Sequence, residues 1–426
     1  MNHPKKSPSF FAPLRLCVIA FFCASSLSAL EVTNVTARQR WPWNNLVDID
    51  FVLNTNGTEG ASVFAIDVTG TYAGGEKTVA ASTFLTAPDV AAGTNRVTWN
   101  LGTDYPGFRT SDLALTVTAS AEGGHYLVID LSGGTNATSY PFYYTTQAPN
   151  PSNDLCKTDE LWLRWIQAGS FIMGTPTNEL GRTEVYGIDT DADQKSVVLS
   201  QPYYVGVFQI TQRQWYNVMG MWPSYYTNEL YRDMRPVEQV TYDMIRGSAA
   251  NGGGGWPTDS SVYLDSFVGR LRQKTGLTSL DLPTEAQWEY ACRAGTTTAL
   301  YSGVNLTNVT TDANVALLAR YRCSQGSRNS GFEAGTFKVG AYLPNTWGLY
   351  DMYGNVMDWC LDWYKESIIP GGTDPGGNPS GTDRVRRGGM LDSPSAYCRS
   401  GFRWKKGPSD TGSTYGCGFR IAKQPE

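Results

Sequence analysis

Several short runs in the first third of the chain alternate apolar and polar residues. They are LVDIDFVL (Leu46–Leu53), SVFAIDV (Ser62–Val68), NRVTWNL (Asn95–Leu101), LALTVTA (Leu113–Ala119) and YLVIDL (Tyr126–Leu131). A period of two puts successive side chains on opposite faces of a strand, so each run can bury one face and wet the other. Gly, Asn, Asp and Pro clusters separate the runs and supply turns, and no helical pattern lies between them. The spacing predicts a small all-β sandwich over residues 30–146. The stretch TTQAPNPSND (Thr145–Asp154) has linker composition, which places a connection at 147–159 ahead of a second domain at 160–423.

In that second domain the pattern changes to short helical segments between Gly-rich loops. Thr211 precedes QRQWYNVM, with Gln214 three residues on, Ile210 placed to staple Trp215, and Gly220 closing the segment. This is a capped helix with both ends marked. Thr284 and Gln287 repeat the device, with Gly295 beyond. Leu264, Phe267, Val268 and Leu271 fall at i, i+3, i+4 and i+7, a core-facing stripe that ends at Gly276. After Gly295 few segments are periodic enough for regular structure. The run Gly252–Gly255 reads as a flexible loop tip; it lacks Gly-Lys-Ser/Thr and follows no strand, so it does not read as a phosphate loop.

The first 29 residues carry Lys5, Lys6 and Arg15, then the apolar run Leu16–Ala24, then small residues to Ala29. That is a secretory signal layout, with an apolar stretch too short to span a bilayer. Its removal takes away three positive charges and no carboxylate, so the net charge of −5 becomes −8. An acidic exported chain is a poor partner for nucleic acid or anionic membrane surfaces, and no other segment is apolar enough for membrane insertion. The expected location is secreted or periplasmic.

Histidine is nearly absent: His3 lies in the leader and His125 is the last. A three-His iron site, an H-E-x-x-H zinc site and a Ser-His or Cys-His nucleophile are therefore excluded from the second domain. His125 follows EGG and reads as a solvated turn residue. Cys156, Cys292, Cys323, Cys360, Cys398 and Cys417 remain after the leader, an even number that favours disulfides in an exported protein, with no C-x-x-C pair. Glu285 and Glu289 share one helix face, where Glu285 suits the helix dipole and a solvated face is expected. Arg399, Arg403 and Arg420 lie beside aromatics and read as buried ion-pair or stacking groups. DTDADQ (Asp189–Gln194) lacks the glycine and distal Glu of an EF-hand.

Three motif blocks stand in fixed order: LPTEAQWEYACRAG (Leu282–Gly295), NTWGLYDMYGNVMDWCLDWY (Asn345–Tyr364), and RVRRGG through CRSGFR to GFRI (Arg384–Ile421). FIMGTPTNELGR and RPVEQVTYD precede them. Together they resemble the formylglycine-generating enzyme, or sulfatase-modifying factor, family over about residues 160–423. The resemblance implies an α+β domain, a variant of the C-type-lectin-like fold with structural calcium and bridging disulfides. Its catalytic members oxidise the cysteine of a sulfatase Cys-x-Pro-x-Arg motif to formylglycine, using oxygen and a copper(I) ion held by two thiolates.

Carried over residue by residue, the family's paired cysteines fall four and nine positions after Gly388–Gly389. Cys398 takes the second and Ser393 the first. A hydroxyl is a hard, weakly acidic donor unsuited to copper(I). Met390 and Met357 replace a usual serine and tryptophan. The resemblance also implies a bridge at Cys292–Cys417, with Cys360–Cys398 and Cys156–Cys323 following. Calcium would fall to Asn345, Thr346, Gly348 and Tyr350, an oxygen-only set at a Gly-containing turn. The reading is a relative without the copper site that binds a peptide or glycan. Its alternative is the copper- and oxygen-dependent oxidase, with Cys398 as its catalytic thiol.

Overall fold

The computed structural model describes residues 31–39, 46–54, 65–73, 77–81, 83–85, 90, 93–106, 108, 110, 113–120, 126–145, 147–182, 193–228, 230–322, 335–366, 369, 371–411 and 416–424. The leader, His125, Cys323 and most of DTDADQ lie outside the described residues. The chain divides into two units, residues 1–125 with 143–148, and residues 126–142 with 149–426. The run at Tyr126–Leu131, grouped above with the first domain, falls in the second unit.

The first unit is all-β among its described residues but for one turn of helix at Leu101–Asp104. In one antiparallel sheet Leu46–Asn54 pairs with Glu31–Gln39 on one side and Gly93–Asn100 on the other. In another, Ala65–Tyr72 lies between Lys77–Ala80 and Ala114–Ser120. Val47, Ile49, Phe51 and Leu53 are buried on the first sheet, as Ile66, Val68, Leu115 and Val117 are on the second. These are the alternate apolar positions of the sequence, so each sheet buries one face.

The second unit is mixed, mostly sheet with few helices. Glu160–Ile166 is its central strand, antiparallel to Tyr126–Asp130 and to Tyr203–Gly206. Ala422–Lys423 then joins Tyr203–Gly206 to Leu280–Asp281. A second sheet orders Arg403–Lys406, Arg384–Arg387, Met357–Trp363 and Cys417–Gly418, and so collects the two C-terminal motif blocks.

Both capping boxes form. Thr211 and Gln214 close the start of Gln212–Met219, and Thr284 with Gln287 does the same for Glu285–Arg293. Ile210 and Trp215 are fully buried. The expected stripe from Leu264 is shorter in the structure, because Ser266 caps the helix Phe267–Thr275 and leaves Leu264 outside it and exposed. The Gly252–Gly255 run is not a free tip either. The carbonyl of Gly253 accepts Arg246 Nη1, and that of Gly254 accepts Arg384 Nη2. A Cβ at Gly253 or Gly254 would meet backbone at 2.4–2.6 Å, so the glycines are there for close approach.

Candidate functional site

The three motif blocks meet in a buried charge network. Glu285 and Glu289, expected on a solvated face, are 1% and 0% exposed. Arg387 donates from Nε to Glu285 (2.9 Å) and from Nη2 to Glu289 (2.7 Å). Arg403 grips both Glu285 oxygens at 2.6 and 2.9 Å, and Arg293 reaches Glu289 at 2.8 Å. The Gly174 amide also donates to Glu289. Burial pushes the Glu289 carboxyl up, but Arg293, Arg387 and that amide outweigh it and hold it below its usual range. Both glutamates are therefore committed to guanidinium partners inside the fold.

Asp358 of the second block accepts Trp288 Nε1 (2.9 Å) and Arg420 Nε (2.7 Å). Arg399 pairs with Glu179 at 2.6 Å. The reading of Arg399, Arg403 and Arg420 as buried ion-pair groups holds for all three. Arg387 Nη1 also donates to the carbonyls of Ser400 and Phe402, so the network fastens the segment that carries Cys398.

Cys398 itself is 0% exposed and its thiol packs against Gly389, where a Cβ would come within 3.2 Å of the sulfur. Burial pushes this thiol well above its usual range, opposed only by the nearby Arg399 charge. Ser393 is also buried, and its Oγ accepts the Met390 amide at 2.9 Å. The structure offers there a protonated thiol and a hydroxyl engaged with backbone. That donor set does not fit a copper(I) ion, which needs two soft anionic sulfurs. Among the described residues no cluster of three or more His, Cys, Asp or Glu side chains could hold a metal.

The expected disulfides are corrected by the surroundings of each sulfur, for all five described cysteines are free. Cys292 Sγ lies 3.6 Å from Ser400 Oγ, whereas Cys417 receives Arg386 Nη1, so these two do not bridge. Cys360 turns toward the Asp358 carbonyl and does not bridge to Cys398. Cys156 donates to the Asn150 and Asn153 carbonyls, and its expected partner Cys323 lies outside the described residues. Burial raises the thiols of Cys156 and Cys292 to about 11 and lifts Cys360 well above its usual range.

The calcium residues come together as a hydrogen-bonded turn. Asn345 Oδ1 accepts the amides of Trp347 (3.0 Å) and Leu349 (3.1 Å), while Nδ2 donates to the carbonyls of Ala291 and Cys292. Thr346 Oγ1 donates to the Ala294 carbonyl, Gly348 takes φ 76°, and the Tyr350 carbonyl accepts Arg420 Nη2. The Asn345 oxygen thus accepts two amides and the Tyr350 carbonyl accepts a guanidinium, so both serve hydrogen bonds of the fold.

Beside Cys398, Tyr397 stacks on Phe402 (4.2 Å, 14°) and Phe402 lies near-parallel to Trp404 (6.1 Å, 18°). Tyr397 and Trp404 remain half-buried, so the ladder presents aromatic surface. Alternation had no means of locating it, since its members lie on a turn and a strand.

A family profile described as the Sulfatase-modifying factor enzyme 1-like domain matches residues 151–425. The chain belongs to the sulfatase-modifying factor family. The mouse (Mus musculus) formylglycine-generating enzyme is 34% identical over 145 residues, covering 33% of this chain and 38% of that protein. The serine/threonine-protein kinase pkn1 of Chlamydia pneumoniae is 39% identical over 149 residues, covering 33% of this chain and 20% of the kinase. The sulfatase-modifying factor chain thus spans well under half the length of these relatives. Treponema denticola variable protein 1 is a solved structure at 26% identity and TM-score 0.46, covering 62% of this chain and 96% of that one.

Proposed function

We propose that this is an exported, secreted or periplasmic, member of the sulfatase-modifying factor family that has lost the two-cysteine copper site and acts as a peptide- or glycan-binding module. The observation that carries the reading is the pairing of a buried, proton-retaining Cys398 with a Ser393 hydroxyl that already accepts the Met390 amide. Oxidation of a substrate cysteine through copper(I) needs a second thiolate at the position Ser393 fills. The retained Arg–Glu network and the half-exposed Tyr397–Phe402–Trp404 ladder support a scaffold kept for recognition.

The test is incubation of the protein with a Cys-x-Pro-x-Arg peptide, copper and oxygen, followed by mass analysis of the peptide. The expected outcome is unmodified cysteine at the level of a protein-free control. Aldehyde above that control would restore the oxidase reading, with Cys398 as its thiol.

A further inference from the structure

A concave surface lies in the second unit, in a part of the fold that none of the copper or calcium residues line. It is a cleft of about 750 Å³ where residues 199–201, 256–260, 272–287, 374–376 and Gln424 converge. That volume falls in the range of small-ligand sites.

Its walls are tied together in advance. Trp256 Nε1 donates to the Gly376 carbonyl (3.1 Å), and the Trp256 carbonyl accepts Arg384 Nη1 (3.3 Å). Asp374 Oδ1 accepts the Ser200 amide (2.8 Å). Gln287 Nε2 donates to Gln424 Oε1 (2.7 Å), and Gln424 Nε2 to the Leu282 carbonyl (2.9 Å). Ordering these groups costs a ligand nothing further.

The charged groups that line the cleft are already engaged. Arg272 donates to Asp281 at 2.9 Å, Arg246 behind it pairs with the same carboxylate at 3.0 Å, and Asp374 accepts both the amide and the hydroxyl of Ser200. Groups held in this way have little left with which to grip a charged ligand. The cleft's remaining polar groups are neutral. Among the described residues the side chains of Gln201, Ser260 and Thr278 have no hydrogen-bond partner, and all three are exposed at the cleft. The half-buried indole of Trp256 lines it. One fixed indole ringed by hydroxyl, amide and carboxylate groups matches a molecule with an apolar C–H face and hydroxyls around its edge.

From this we infer that the cleft at Trp256 binds a neutral saccharide, with a sugar ring against the indole and its hydroxyls on Gln201, Ser260, Thr278 and Asp374. The inference deepens the binding-module reading and takes the glycan side of it. A charged peptide side chain would instead need a free counter-charge, and the guanidinium and carboxylates here are already engaged.

The probes are maltotriose, cellotriose and chitotriose, titrated into the full chain with tryptophan fluorescence and saturation-transfer NMR as readouts. At least one is expected to bind below about 10 mM, with about tenfold weakening in Trp256→Ala. Should Trp256→Ala fail to fold, the exposed double variant Gln201→Ala/Thr278→Ala decides, with an expected weakening of about threefold at an unchanged melting temperature. No saturation transfer from any of the three sugars, or binding unchanged in the folded variants, overturns the inference. Aldehyde formation in the peptide assay would sink the loss of oxidase chemistry and leave this cleft standing. Silence from the sugars would sink the cleft alone.

Discussion

The helix Glu285–Arg293 and the segment Met390–Cys398 are both buried, and Arg387 sits between them in the network. Around the helix, burial is combined with charge: the carboxylates of Glu285 and Glu289 accept five bonds from three guanidiniums and one from the Gly174 amide, and each carboxylate oxygen has a partner. Around Cys398, burial is combined with neutrality: a thiol that keeps its proton and a hydroxyl that caps an amide. Desolvated charge is tolerable only where the partners are complete, and a desolvated thiol is tolerable because it need not ionise. The buried motif residues are thus of two kinds, charged groups that hold the scaffold together and neutral groups around Cys398.

The largest effect should come from breaking the charged region. Glu289→Ala would leave Arg293 and one arm of Arg387 buried without a counter-ion. Removal of one partner from a buried pair costs about 3–5 kcal/mol. Chemical denaturation should show that loss or outright failure to fold, and a cycle with Arg387→Ala should show strong coupling, because the second change removes the stranded charge. A loss below about 1 kcal/mol would mean the network is solvated in solution.

A graded effect comes from pH. Burial, followed by the neighbouring Glu285 charge, pushes Asp362 up to about 7, while burial pushes Asp351 to about 6 and Glu238 to about 8. A carboxyl raised in the folded state favours folding while protonated, and that contribution is lost as pH rises through the folded value. Glu289, held low, acts in the opposite sense and loses its contribution only as pH falls below the usual carboxylate range. Stability should therefore peak at about pH 4, close to the unfolded carboxylate values, and fall progressively by several kcal/mol to about pH 8. Asp362→Asn removes one ionisation, keeps an acceptor for the Glu285 amide, and should flatten the fall at the alkaline end. A melting temperature that rises steadily to pH 8 would contradict the assignment.

What the sequence made legible was whatever is decided locally. Thr211 with Gln214 and Thr284 with Gln287 are capping boxes because their partners are three residues away. Alternation in Leu46–Leu53 yields a sheet face because the pleat has the same period. Glu289 was misread because its partner Arg387 is 98 residues distant, and helical position alone cannot distinguish a buried anion from a solvated one. Cysteine parity failed for the same reason, since the partners that decide it, Ser400 for Cys292 and Arg386 for Cys417, come from other elements. The place of Ser393 four residues after Gly388–Gly389 was legible, but not the Met390 amide that its hydroxyl accepts.

That amide gives the smallest and sharpest test of the comparison. In Ser393→Ala the Met390 N–H would lose its acceptor inside a buried turn, while no charge is stranded and little volume is removed. One unsatisfied buried donor costs about 1–3 kcal/mol, and rearrangement of this turn should hold the loss near 1 kcal/mol. The denaturation midpoint should shift slightly with an unchanged slope, and a peptide with the Cys-x-Pro-x-Arg motif should remain unoxidised in both proteins. If Ser393→Ala were as damaging as Glu289→Ala, the Cys398 segment would belong to the scaffold, and the division between charged framework and neutral segment would have to be redrawn at Arg387.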